Sequence, residues 1–125
     1  MRIILDTHVL LWWLDDSSQL GDATREAIGD RDNVVFISAA TLWEIMIKRA
    51  LGKLEIPDEF EGIVLREPFL HLDVSAQHAF MVGRLPHHHR DPFDRMLIAQ
   101  ALVEGLTVVT ADPVIRRYDV PVLHG

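Results

Sequence analysis

Cysteine is absent from the 125-residue chain. That excludes a disulfide framework and thiolate metal ligation, and it is compatible with a reducing compartment. Basic charge is scarce: Lys and Arg number 12 against 19 Asp and Glu, for a formal charge of −7. This is the wrong sign for a protein that grips nucleic acid by a broad basic face, so a polyanionic substrate would need a bound divalent cation to offset its charge. Long apolar runs are missing as well. The apolar start from Ile3 to Leu14 is broken by Asp6 and His8, is too short to span a bilayer and lacks a small-residue cleavage site. A soluble, cytoplasmic protein without membrane attachment is expected. No repeat or linker interrupts the pattern, so residues 1–125 read as a single domain, long enough to bury a core without covalent staples.

What is present begins with Arg2-Ile3-Ile4-Leu5-Asp6-Thr7, an apolar strand that stops on a carboxylate. Such a strand is buried on both faces, as a parallel sheet covered by helices requires. Thr7 is expected to cap a nearly all-round apolar helix from His8 to Leu14, followed by a weakly amphipathic one from Asp22 to Asp30. Val34 to Ile37 reads as the second strand, with Ser38 capping a helix from Ala39 to Leu51. A short helix follows over Asp58–Arg66, a strand over Phe69–Leu72 and a helix over Ser75–Arg84. His71 and His78 are read as packing or surface residues. Asp91 takes the N-cap slot of the most strongly patterned helix, Pro92 its first position and Asp94 its third, and Gly105 stops it. Thr107 to Thr110 forms a further strand, Pro113 to Tyr118 a helical turn, and Val120 to Leu123 an edge strand because of Pro121. Strand and helix alternate throughout, so the fold class is α/β: a three-layer α/β/α arrangement around a mostly parallel sheet of about five strands.

Four acids stand out. Asp6 and Asp112 follow strands, and Asp94 lies in the first turn of its helix, at the positive end of the dipole. Glu44 belongs to a polar stripe with Thr41 and Lys48 on an otherwise apolar helix, beside Trp43, Ile45 and Ile47. An i,i+4 pair with Lys48 would be worth only about 0.2 to 0.5 kcal/mol, a small return for a carboxylate in such surroundings. In open parallel sheets the carboxyl edge is where ligands bind, and topology would bring all four acids to it. Two carboxylates about 4 Å apart repel by roughly 4 kcal/mol at an effective dielectric of 20, which calls for shared protons or a cation. Oxygen ligands, with no cysteine and no histidine at the strand ends, select Mg2+, for which Mn2+ can substitute, over zinc. A hard cation of this kind can activate water and stabilise charge on a phosphoryl oxygen.

The run Ile3 to Thr7, the segment Ser38 to Glu44, Asp94 ahead of Met96-Leu97-Ile98-Ala99-Gln100-Ala101, and Thr110-Ala111-Asp112 together resemble the motifs of PIN-domain ribonucleases. A lone small domain is most similar to the VapC-type toxins of toxin-antitoxin pairs. The resemblance covers nearly the whole chain. It implies a PIN-like fold and a magnesium-dependent endoribonuclease, usually a homodimer, held inactive by an antitoxin protein whose tail enters the cleft. It carries the catalytic and metal-ligand roles onto Asp6, Glu44, Asp94 and Asp112, with Thr110 as a neighbour and Asp91 as an extra acid beside them. Cleavage of an RNA phosphodiester would leave a 5′-phosphate and a 3′-hydroxyl. Arg90, Arg95, Lys48 and Arg49 are the expected holders of the RNA backbone. His87, His88 and His89 are read as backbone contacts with Arg90 rather than metal ligands, because successive loop residues point apart.

Three other readings are open to the residues. A receiver-like signalling domain shares the length and alternation but needs a late lysine, and the only lysines are Lys48 and Lys53. A phosphatase with an aspartyl nucleophile needs an aspartate where His8 stands. A PIN-like module that only binds RNA or protein has no reason to keep all four acids.

Overall fold

β1 (Arg2–Leu5) is the central strand of a five-stranded sheet in the order β3-β2-β1-β4-β5. Its neighbours are β2 (Val34–Ser38) and β4 (Thr107–Thr110), with β3 (Leu70–Leu72) and β5 (Val122–His124) at the edges. All pairings are parallel; Ile4, for example, lies opposite Phe36 on one side and Val108 on the other. The computed structural model describes residues 1–125. The helices are α1 (Thr7–Leu14), α2 (Asp22–Gly29), α3 (Ala39–Ala50), α4 (Phe60–Arg66), α5 (Ala76–Val82) and α6 (Pro92–Glu104), with a 3₁₀ turn at Ile115–Arg117. No helix is long and apolar enough to cross a membrane.

Because successive residues of a strand face opposite ways, β1 feeds two cores. Ile3 and Leu5 pack with Val9, Leu10, Ile28, Ile45, Phe60 and Val64, so α1 to α4 supply that layer. Ile4 packs on the other face with Leu97, Ile98, Ile115 and Tyr118. The sheet is therefore buried on both sides, as its uninterrupted apolar strands demand. Trp12 and Trp13 are half-buried against the first core.

Several boundaries shift from those read in the sequence, each for a local reason. β5 begins at Val122 rather than Val120, since Pro121 has no N–H to offer; its carbonyl instead accepts from the Val108 N–H at 2.9 Å. α4 begins at Phe60, not Asp58, because a turn closes first from the Phe60 N–H to the Pro57 carbonyl. β3 omits Phe69, which is buried in the first core. α5 is shorter than Ser75–Arg84 and starts in a capping box in which Ser75 and His78 exchange side-chain and backbone bonds.

The strand order reverses at β1, with β2 on one side and β4 on the other. In a parallel sheet this is the switch point where the following loops part and leave a crevice at the carboxyl ends. Asp6 ends β1 at that crevice.

Candidate active site

Asp6 is both the residue after β1 and the N-cap of α1. One carboxylate oxygen, Oδ1, accepts the Val9 N–H at 2.8 Å. The other accepts the hydroxyl of Thr110, the last residue of β4. Thr110 in turn accepts the Asp112 N–H at 3.0 Å, so one hydroxyl ties the first acid to the fourth. Asp112 turns its Oδ1 to the Val114 N–H at 2.9 Å, which closes the loop after β4.

Glu44 reaches the same place from α3 and is buried. Its Oε1 accepts the hydroxyl of Thr7, and its Oε2 pairs with Lys48 at 2.6 Å. The i,i+4 pair thus exists, but it faces the crevice rather than solvent. Asp94 arrives on the first turn of α6, whose N-cap Asp91 accepts the N–H groups of Phe93 and Asp94 at 2.8 and 3.2 Å. Asp6, Glu44, Asp94 and Asp112 all line one open pocket, together with Thr7, Lys48 and Asp91.

Burial, with crowding behind it, shifts the protonation of two of these carboxylates, Asp94 and Asp6. Burial pushes Asp94 up from 3.8 to about 7, with the charges of Asp91, Asp6 and Glu44 adding to the rise and His89 opposing it. Burial likewise raises Asp6, against the hydrogen bonds from Thr110 and Val9. The hydrogen bond to Glu44 raises Lys48 and keeps it cationic. A site that resists ionisation when bare is one that a divalent cation would complete. The donor set fits a hard ion, since nearly all of its ligand atoms are carboxylate oxygens.

One residue was assigned differently by sequence. His89, read as a backbone contact, brings its Nε2 to 2.9 Å from Asp112 Oδ2 and 3.0 Å from Asp94 Oδ2. The ligand-capable atoms of these three side chains all lie within 4.8 Å of one another. His89 thus departs from its expected role as a backbone contact: a histidine comes to the acids from the loop before α6 rather than from a strand end. Its two neighbours, His87 and His88, do not join it, and His88 stacks edge-on against Tyr118 at 5.0 Å.

Arg95 is a second correction. It is buried, not poised for a substrate. Its guanidinium donates to the carbonyls of Pro86 at 2.9 Å and Val82 at 3.1 Å and to the Tyr118 hydroxyl at 3.2 Å, stapling the loop that carries His89. Lys48 is held by Glu44, and Arg49 is paired with Asp58 at 2.9 Å. Of the cations named from sequence, Arg90 alone is exposed without such a partner. Arg116 and Arg117, also exposed, sit beside Tyr118 and were not singled out. Thr7, expected as the cap of α1, gives that place to Asp6 and is instead the first residue of the helix, where its hydroxyl reaches across the crevice to Glu44 on α3.

A family model for the PIN domain matches residues 3–121. A ribonuclease of Mycobacterium tuberculosis, VapC22, is 30% identical over 131 residues, covering 95% of this chain and 93% of that protein. Among solved structures, VapBC2 from Rickettsia felis bound to a promoter DNA fragment superposes with a TM-score of 0.72 at 17% identity, over 98% of each chain. DNA-bound VapBC from Salmonella typhimurium gives 0.72 at 19% identity, over 98% of this chain and 97% of that one.

Proposed function

Since the chain belongs to the PIN-domain family, we propose that it is a divalent-metal-dependent endoribonuclease acting as the toxin of a toxin-antitoxin pair. The observation that carries the reading is the lining of one pocket by Asp6, Glu44, Asp94 and Asp112, drawn from four separate elements at the sheet's switch point. No structural need brings four acids together in a place where each raises the cost of the next.

Asp6, Asp94 and Asp112 would hold the ion, Mg2+ or Mn2+, with Glu44 at its side. A bound ion of this class acidifies water and stabilises charge developing on a phosphoryl oxygen. The chain's own contribution is to hold the acids ready. Thr110 orients Asp6 and locks the loop of Asp112, Thr7 and Lys48 aim Glu44 from two sides, and the Asp91 cap sets the angle at which Asp94 enters. Hydrolysis by water, leaving a 5′-phosphate and a 3′-hydroxyl, needs no covalent intermediate on the protein. The exposed Arg90, next to Asp91, with Arg116 and Arg117 a few residues after Asp112, would hold the RNA backbone where the net charge of −7 cannot.

The partners belong to the same proposal. The similar structures named above are VapBC complexes, which supports a cognate antitoxin protein for this chain. A homodimer is supported by the apolar groove that Trp43, Val74, Phe93 and Met96 line between α3, α5 and α6, with Trp43 left 63% exposed.

Cleavage of a mixed RNA pool with added Mg2+ or Mn2+, run beside a chelator control and identically purified Asp94→Asn protein, tests the reading. Wild-type cleavage should need the metal, and the variant should lose about 100-fold or more, the upper range for disturbing a metal's ligand environment. Equal cleavage by the two proteins would sink the four-acid site.

A further inference from the structure

His89 lies against two of the four acids, Asp94 and Asp112, and its two ring nitrogens have different partners. Nδ1 accepts the N–H of Asp91 at 3.1 Å. A nitrogen that accepts has no proton, so the ring proton is on Nε2. That N–H donates to Asp112 Oδ2 at 2.9 Å, with Asp94 Oδ2 lying 3.0 Å from the same nitrogen. A protonated Nε2 has no lone pair for a cation. The arrangement is the reverse of a ligating histidine, in which the outer nitrogen donates and the inner one is bare.

The loop is held to keep the ring there. The His89 N–H donates to the Tyr118 hydroxyl at 2.8 Å, and Arg95 fastens both Tyr118 and the Pro86 carbonyl. Backbone anchorage leaves the ring as the part that can turn. Asp94 and Asp112 would be among the residues that hold a divalent ion, and the His89 Nε2–H occupies the ground beside their Oδ2 atoms.

We infer that His89 is a resident plug of the metal site, hydrogen-bonded to Asp112 and lying against Asp94 until a divalent cation displaces its ring. The inference rests on the four-acid metal reading given above. Its consequence is that His89 sets the threshold for metal loading and lets the acid cluster fold before an ion arrives. It is a positioning residue that weakens metal binding, not a ligand that strengthens it.

Mn2+ binding measured by titration calorimetry, on wild-type protein and on His89→Ala, separates these roles without any cleavage readout. Loss of a charge-assisted donor that competes with the ion should tighten Mn2+ binding about tenfold. Equal or weaker binding by His89→Ala overturns the plug, and a 14N hyperfine coupling to Mn2+ in the wild type would make His89 a ligand instead. Absence of Mn2+ binding in both proteins would remove the metal reading itself, and the inference with it. Should the variant fail to fold, the wild type labelled with 15N-histidine still decides the matter. Saturating Mg2+ should shift the His89 Nδ1 and Nε2 resonances as the ring leaves the Asp91 amide and Asp112, whereas unmoved resonances in protein that binds Mg2+ would refute displacement.

Discussion

Thr110 shows how much of this site depends on single atoms. Its oxygen donates to Asp6 and accepts from the Asp112 N–H, so Thr110→Val keeps the bulk but strips one hydrogen bond from each acid. Cleavage and Mn2+ affinity should both fall by about 10- to 100-fold, as for other groups that orient metal ligands; single-turnover rates and calorimetry would show it. The protonation of Asp94 gives a prediction of a different kind. Its folded value of about 7 lies above the ordinary 3.8, so between those values the native state holds more protons than the unfolded one, and stability must fall as pH rises. Asp6 is shifted the same way. Metal-free protein should therefore lose stability from about pH 4 to about pH 7, as read by denaturant midpoints. Asp94→Asn should flatten much of that slope and be as stable as the wild type or more so at pH 7. A slope of opposite sign would mean that the acids are not crowded in the bare protein.

At the scale of the element, helix starts do double duty. α1 begins on Asp6 and α6 on Asp91, and each cap fixes a carboxylate of the acidic pocket: its own in the first case, that of Asp94 in the second. Pro92 at the first position and left-handed Gly105 at the end, with φ of 69°, define the length of α6 without help from elsewhere. Asp91→Ala should cost about 1 kcal/mol of stability, the usual loss for an N-cap. It should also lower cleavage by letting the first turn of α6 fray under Asp94. Urea midpoints and cleavage rates measured on the same preparation would separate the two effects. A stability loss with unchanged cleavage would confine Asp91 to capping.

For the whole molecule, the pocket is a product of strand order. With β1 between β2 and β4, residues separated by 104 positions, Asp6 and Thr110, share a hydrogen bond. An ion held across such distances binds only the folded chain and so stabilises it. At 100 times its dissociation constant it should add about 2.7 kcal/mol, or a rise in Tm of roughly 10 °C for a domain of this size. Differential scanning calorimetry with Mg2+ or Mn2+ should show the rise in wild type, most of it lost in Asp94→Asn and reversed by chelator. No rise in the wild type would argue against a metal site that spans the fold.

The sequence by itself determined the parts that depend on neighbours a few positions apart. The apolar runs of β1, β2 and β4, the Ser38 and Asp91 caps, and the stop at Gly105 are local matters of period, cap and backbone freedom. They were legible for that reason. The acids were legible because a carboxylate after a buried strand, or on an apolar helix, has few structural uses. Thr7, His89 and Arg95 obey no such local rule. The loop of His89 reads as solvent-facing until Arg95 and Tyr118 draw it over the acids. Arg95 follows Asp94 in sequence, yet the helix turns it about 100° away and into the protein. Only tertiary structure decided these three, because each is set by partners brought together by the sheet order, and the energy of burying a charge or hydroxyl depends on which partner arrives.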